Sequence, residues 1–223
     1  MKGWSDSAFL KDKTMCSWVA DQEEARKAAA VIGIPFYTWD IEKEYKEKVV
    51  DYMIASYRKG ITPNPDVMCN KEIKFGIFLA RALRMGADFV ATGHYARRRC
   101  STQVCGLLAG VDRSKDQSYF LWTLTAKKLA HILFPVGHLT KLKVRQFARA
   151  WQLPNADRKD SQGVCFVGEL KVFDFLRSQI PPTPGPIYTD TGVHVGEHQG
   201  TFFYTIGQRH GIGTLGGTDP YYI

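Results

Sequence analysis

The chain is expected to fold as an α/β protein, a parallel sheet followed by a small β-rich domain. Three observations predict it. Helical periodicity alternates with short strand-like runs from Asp21 to Thr92, the pattern of strands joined by helical crossovers. After Gly93 the texture changes to a hairpin and short helices. A proline-rich stretch, PPTPGP at Pro181–Pro186, then precedes a tail of short strands broken by glycines.

Each element has a local reason. Asp21 and Glu24 have capping-box spacing, and Ala25, Ala28, Ala29 and Ile32 follow at helical intervals up to Gly33. Pro35 opens a strand-like run, Phe36 to Trp39. Lys43 to Lys59 reads as a helix with Tyr45, Val49, Tyr52, Met53 and Tyr57 on one face. Pro63 and Pro65 keep the next segment out of helix. A third helix is expected from Cys69 to Gly86, then a buried strand from Asp88 to Thr92. Ala96–Cys100 and Val104–Ala109 suggest a hairpin. Helical segments are predicted at Gln117–Trp122, Ala126–Leu133, Val144–Trp151 and Leu170–Ser178. Short strands are predicted at Pro186–Tyr188, Val193–Val195 and Thr201–Thr205.

With 223 residues, 44% of them apolar, the chain can bury a core, which argues against disorder. Its net charge of +8 favours an anionic partner, nucleic acid first, although an ordinary basic enzyme has the same balance. The five cysteines, Cys16, Cys69, Cys100, Cys105 and Cys165, are odd in number and widely spaced, unlike a secreted disulfide framework. Cys100 and Cys105 fall within the hairpin. A zinc site would need two further ligands at matching spacing, so no structural metal is expected. MKGWSDSAFLKDK lacks a signal-peptide core, and no apolar run is long enough to span a membrane. These features predict a soluble protein of a reducing compartment, the cytoplasm.

Two cysteines sit in polar, proline- and glycine-punctuated surroundings. Cys69 lies in TPNPDVMCNKEIKFG (Thr62–Gly76), at the expected start of a helix, with Lys71 and Lys74 one turn on. A helix N-terminus and nearby cations lower a thiol's pKa, and the thiolate is the attacking form. Asn64-Pro65-Asp66 is a rigid polar turn whose amide and carboxylate could read a base edge. The same residues also suit plain turn chemistry. Cys165 lies in KDSQGVCFVGE (Lys159–Glu169), where Gly163 permits a tight loop, Arg158 and Lys159 supply positive field, and Phe166 and Val167 anchor a strand. Gly93-His94-Tyr95 follows a strand, where α/β sheets bind ligands. Lys115-Asp116-Gln117 leads into Tyr119, Phe120 and Trp122, a basic and aromatic grouping that suits unstacked RNA bases. Gly211–Gly216 fits G-x-G-x-x-G but lacks the strand–loop–helix context, so it reads as a β-turn segment.

Together these segments resemble the bacterial-type tRNA-specific 2-thiouridylases. TPNPDVMCNKEIKFG, ATGHYARR, SKDQSYFL, FPVGHLTK, KDSQGVCFVGE and YTIGQRHGIG all stand in family order across essentially the whole chain. The resemblance implies a Rossmann-like catalytic domain over residues 1–169 and a small central domain over 170–223. It implies use of Mg-ATP to activate the 2-oxygen of the wobble uridine of tRNA. It also implies sulfur delivered as a persulfide by a donor protein of a sulfur relay. By motif, Cys165 resembles the persulfide carrier and Cys69 the nucleophile that closes a disulfide with it, with Asp66 beside them in the catalytic set. Asn64, Pro65, Asp66, His94, Lys115, Asp116 and Gln117 resemble tRNA contacts. Gly93 and Met1 resemble ATP contacts.

One departure shapes the expectation. The family's glycine-rich S-G-G-x-D-S pyrophosphate loop is not present, and Trp4-Ser5-Asp6-Ser7 lacks the glycines of a phosphate-cradling nest. A C-terminal β-barrel is likewise not represented. A core fragment is expected, poorly stable alone and unable by itself to activate uridine. Its alternative role is that of a tRNA-binding module without catalysis. A thiol oxidoreductase using Cys69 and Cys165 without RNA is the third possibility.

Overall fold

The computed structural model describes residues 1–2, 17–102, 104–158, 172–209 and 221–223. Helix α1 spans Ser17–Ile32 and ends at Gly33, whose φ of 80° is easy for glycine alone. It begins before Asp21, so Asp21 and Glu24 do not cap it. Both instead bind the Arg158 guanidinium, Glu24 at 2.6 Å. The strand expected at Phe36–Trp39 is reduced to one parallel bridge. Lys2 donates to the Trp39 carbonyl at 2.8 Å, and Ile41 donates to the Lys2 carbonyl at 3.1 Å. A strand exists only through the ladder it joins, and Lys2 is the one described neighbour.

Helix α2 is continuous from Glu42–Tyr45 through a wide-turned π segment, Lys46–Val50, to Asp51–Arg58. Its apolar face buries Tyr45, Val49, Val50, Met53 and Ile54, whereas Tyr52, expected on that face, stays 38% exposed. Helix α3 joins Pro65–Met68, a π segment Cys69–Phe78 and Leu79–Arg84. It starts earlier than predicted because Pro65 occupies the first helical position. There its missing N–H costs nothing and its fixed φ is already helical. Gly76 belongs to the wide turn: a Cβ there would lie 3.0 Å from the Lys71 carbonyl oxygen.

Strand β1, Val90–Ala91, pairs in parallel with β4, Ile132–Leu133, which anchors the α/β architecture. The helix predicted to run to Leu133 is therefore only α4, Ala126–Leu129. The apolar run beyond it serves a strand, and so short a run has no period to distinguish the two. Strands β2 (Ala96–Cys100) and β3 (Cys105–Ala109) form the expected antiparallel hairpin, with Cys100 opposite Cys105. Gln117–Trp122 is not a helix but holds one 3₁₀ turn, Ser118–Phe120. Helix α5, Lys141–Ala150, starts at Thr140, whose hydroxyl accepts from the Lys143 N–H. Helix α6 is Val172–Gln179, and β5 (Gly185–Tyr188) pairs antiparallel with β6 (His194–His198). Thr201–Phe203 makes a 3₁₀ turn in place of a strand, and this turn buries Phe203. The Gly211–Gly216 segment lies outside the described residues.

Among the described residues, two apolar clusters form the core. The first joins α2 and the front of α3 (Cys69, Ile73) to Phe175, Leu176, Ile180 and Phe203. The second joins the rear of α3 (Phe75, Leu79, Ala82) to Val90, Ala96, Leu121, Ile132 and Phe134. Helix α3 thus faces both clusters, and the residues that carry its motif sit where they meet.

Candidate functional site

The site is built on the first turns of α3. The Asn64 side-chain oxygen accepts from the Val67 N–H at 3.1 Å, so Asn64 is the helix cap. Cys69 consequently lies a turn inside the helix and not at its start. It is only 6% exposed, packed in the first cluster. Activation of this thiol by the helix terminus is thereby corrected, because the terminal field falls off within the first turn. Lys71, one of the two expected cations, pairs with Glu72 at 3.2 Å. The other, Lys74, acts electrostatically on both Asp66 and His94. Burial pushes the Asp66 carboxyl above the usual carboxylate range, and Lys74 opposes that shift.

His94 faces this helix across the second cluster. Its ring lies 5.8 Å from Phe75 and edge-on to Phe134 at 6.3 Å, and its Nδ1 shares a hydrogen bond with the Thr92 hydroxyl at 2.9 Å. Burial, reinforced by Lys74, pushes its pKa down to about 4. At neutral pH His94 is an uncharged hydrogen-bonding ring, suited to a base edge more than to phosphate charge. Beside it, Gly93 is exposed, and a Cβ there would meet nothing within 4 Å.

The Lys115–Gln117 turn is tied to the same place. Burial works to raise the Asp116 carboxyl, but hydrogen bonds from the Gly110 N–H (2.7 Å) and from Ser118 outweigh it and hold the group below the usual range. Gln117 accepts from the Tyr95 N–H at 3.0 Å through its side chain and donates its own N–H to the Tyr95 carbonyl at 2.9 Å. Lys115 is exposed. Asn70, buried at 2% exposure, donates to the Phe120 carbonyl at 3.2 Å and locks the 118–120 turn onto α3. The Asp66–Cys69 turn, Gly93–His94 and Lys115–Gln117 are thus brought together. Sequence reasoning missed Asn70; its signal was an amide in the buried row that also carries Ile73.

Met1 is followed by Lys2, which pairs with Trp39–Ile41, whereas the strand before Gly93 pairs with Ile132–Leu133. Gly93 offers open, exposed backbone. The described residues nevertheless supply no run of backbone N–H groups that would cradle a triphosphate, so ATP does not fit them as a complete site. Cys165, with Lys159, Asp160 and the rest of its motif, lies outside the described residues. Arg158, expected to lend it positive field, is committed to Asp21 and Glu24. Among the described residues no cluster of three or more His, Cys, Asp or Glu side chains could hold a metal ion, and no helix is long and apolar enough to cross a membrane.

Comparison with known proteins gives this arrangement a family. Residues 1–169 match the model described as the tRNA methyl transferase HUP domain, and residues 173–223 match the tRNA methyl transferase PRC-barrel domain. The chain belongs to the family of the first model, and the curated relatives it matches are tRNA-specific 2-thiouridylases. It is 45% identical over 223 residues to a tRNA-specific 2-thiouridylase MnmA of Shouchella clausii, and 46% identical over 223 residues to that of Exiguobacterium sibiricum. Against the Bacillus subtilis (strain 168) 2-thiouridylase it is 45% identical over 222 residues. All of this chain is covered in each case, but it spans only about 60% of the length of these 2-thiouridylases. The family's HUP domain is a Rossmann-like α/β fold, in keeping with the β1–β4 pair and its flanking helices.

Proposed function

We propose that this chain carries the sulfur-transfer centre of a tRNA 2-thiouridylase acting on the wobble uridine. The observation that carries this reading is the convergence of the Cys69–Asp66 turn, neutral His94 and the Lys115–Gln117 turn, clamped by Asn70. The curated relatives bear the 2-thiouridylase name over the whole of this chain. In this reading a donor protein of a sulfur relay loads Cys165 with a persulfide. The Cys69 thiolate attacks the inner sulfur, a Cys69–Cys165 disulfide forms, and hydrosulfide leaves toward the uridine C2. Asp66, its carboxyl raised by burial, takes up the Cys69 proton as the thiolate forms. His94 and the Asn64 amide face the base edge, and Lys115 meets the tRNA backbone. In this reading the side chains of Asp116 and Gln117 shape the turn that presents Lys115 to the RNA. Gly93 is the proposed contact for an adenine nucleotide. The division into a catalytic domain, 1–169, and a central domain, 170–223, and a cytoplasmic setting belong to the same proposal.

The test follows labelled sulfur. A persulfide donor carrying radiolabelled sulfur is incubated with the chain and its Cys69→Ser and Cys165→Ser variants, and the label is located by peptide mapping. Cys165 should hold the label, Cys69→Ser should retain it without release, and Cys165→Ser should acquire none. Label on Cys69, or release that does not depend on Cys69, overturns the assignment.

A further inference from the structure

We propose that Cys100 and Cys105 form a second thiol–disulfide exchange site, at the tip of the β2–β3 hairpin, whose co-substrate is a small anionic thiol. The two residues stand directly opposite each other and are joined as a disulfide, with Cα atoms 4.0 Å apart. Only five positions separate them, so the bond closes a very small loop and removes little chain entropy from the unfolded state. The hairpin already holds its register through its backbone ladder and the Ser101–Val104 hydrogen bond of 2.9 Å. A structural bond in this place would be nearly redundant. Cys100 is exposed, which is the setting of a labile disulfide.

The surroundings differ for the two sulfurs and give the exchange a direction. Cys105 lines a cleft of about 320 Å³ with Ser101, Thr102, Val104 and, from α4, Lys127. Cys100 instead has the Arg98 guanidinium 3.6 Å from its sulfur. That guanidinium is fixed: it donates to the Leu129 and Ala130 carbonyls, both at 2.8 Å, and lies 5.4 Å above the Phe89 ring. A thiolate entering the cleft attacks Cys105 Sγ. The sulfur–sulfur bond breaks, and its electron pair leaves on Cys100, whose thiolate is stabilised by Arg98. A second thiolate then attacks the incoming sulfur. The small disulfide departs, Cys105 leaves as a thiolate, and the two protein sulfurs take protons from water. Two thiols are oxidised to one disulfide as one protein disulfide is reduced. Anionic thiols are preferred because the hairpin and α4 carry Arg97, Arg98, Arg99, Lys127 and Lys128 and no acidic residue.

The test uses glutathione as the anionic probe and cysteamine as the cationic one. The chain, purified without reductant, is treated with a limiting amount of each thiol, quenched in acid, alkylated and mapped by peptide mass spectrometry. The Cys100→Ser/Cys105→Ser double variant gives the background from the other cysteines. We expect the 100–105 disulfide at the start, the glutathione adduct on Cys105 with Cys100 alkylated, and reduction by glutathione about tenfold faster than by cysteamine at low salt. That ratio should collapse in high salt. The proposal is overturned by an adduct on Cys100, by cysteamine reacting as fast as glutathione, by a disulfide that resists both thiols, or by two thiols in the chain purified without reductant.

Discussion

Mild acidification, from pH 7 to pH 5, should destabilise this protein chiefly through one side chain. His94 is only 9% exposed, and its pKa falls from the ordinary 6.5 to about 4. In the unfolded chain it regains its ordinary value, so between these two values the unfolded state binds the extra proton. The stabilisation of the neutral ring is complete above 6.5 and is lost as pH falls toward 4. Each pKa unit is worth about 1.4 kcal/mol, so His94 removes about 3 kcal/mol across the whole interval and about 2 kcal/mol between pH 7 and pH 5. The assay is urea unfolding at both pH values, alongside an NMR titration of the His94 ring. His94→Gln should lower stability at pH 7 yet lose most of the pH 7-to-5 difference. A His94 midpoint near 6.5, or a His94→Gln variant with the full acid dependence, would refute the burial argument.

Other perturbations probe the clamp. Asn70→Ala removes the donor to the part-buried Phe120 carbonyl and should cost about 1–2 kcal/mol in chemical unfolding, with faster hydrogen exchange at Ser118–Leu121. Equal stability of the variant would show the clamp to be idle. Gly137→Ala places a Cβ 1.6 Å from the Ala96 carbonyl oxygen, at the foot of the hairpin. It should cost at least about 3 kcal/mol or prevent folding, as measured by thermal melting. Asp116→Ala leaves the Gly110 N–H without its acceptor and should cost about 1–3 kcal/mol. Lys115→Gln should lower the salt slope of tRNA binding by about one, read by filter binding across a salt series.

Much of the fold was legible because apolar periodicity reports burial. Tyr45, Val49 and Met53 share a buried face as their spacing requires. Hairpin pairing from Ala96 to Ala109 also follows from the sequence. The errors have physical causes. Pro65 reads as a helix breaker, but the rule against proline does not apply at the first helical position, so the helix begins a turn before Cys69. Ile132–Leu133 is too short for any period to declare it a strand. The tie between Asp116 and Gly110, and that between Asn70 and Phe120, join residues whose pairing no local spacing encodes. The segments around Asp66, His94 and Gln117 are distant in sequence, yet α3 and the second cluster bring them together.

The central claim is that the Cys69 and Cys165 sulfurs meet over one pocket, and intramolecular cross-linking measures this most directly. The fully reduced chain is oxidised with diamide at several protein concentrations, alkylated without reduction, and its disulfides are mapped by peptide mass spectrometry. The account predicts a Cys69–Cys165 link formed at a rate independent of concentration. A Cys69 that stays alkylatable, or that links only between molecules, would contradict it.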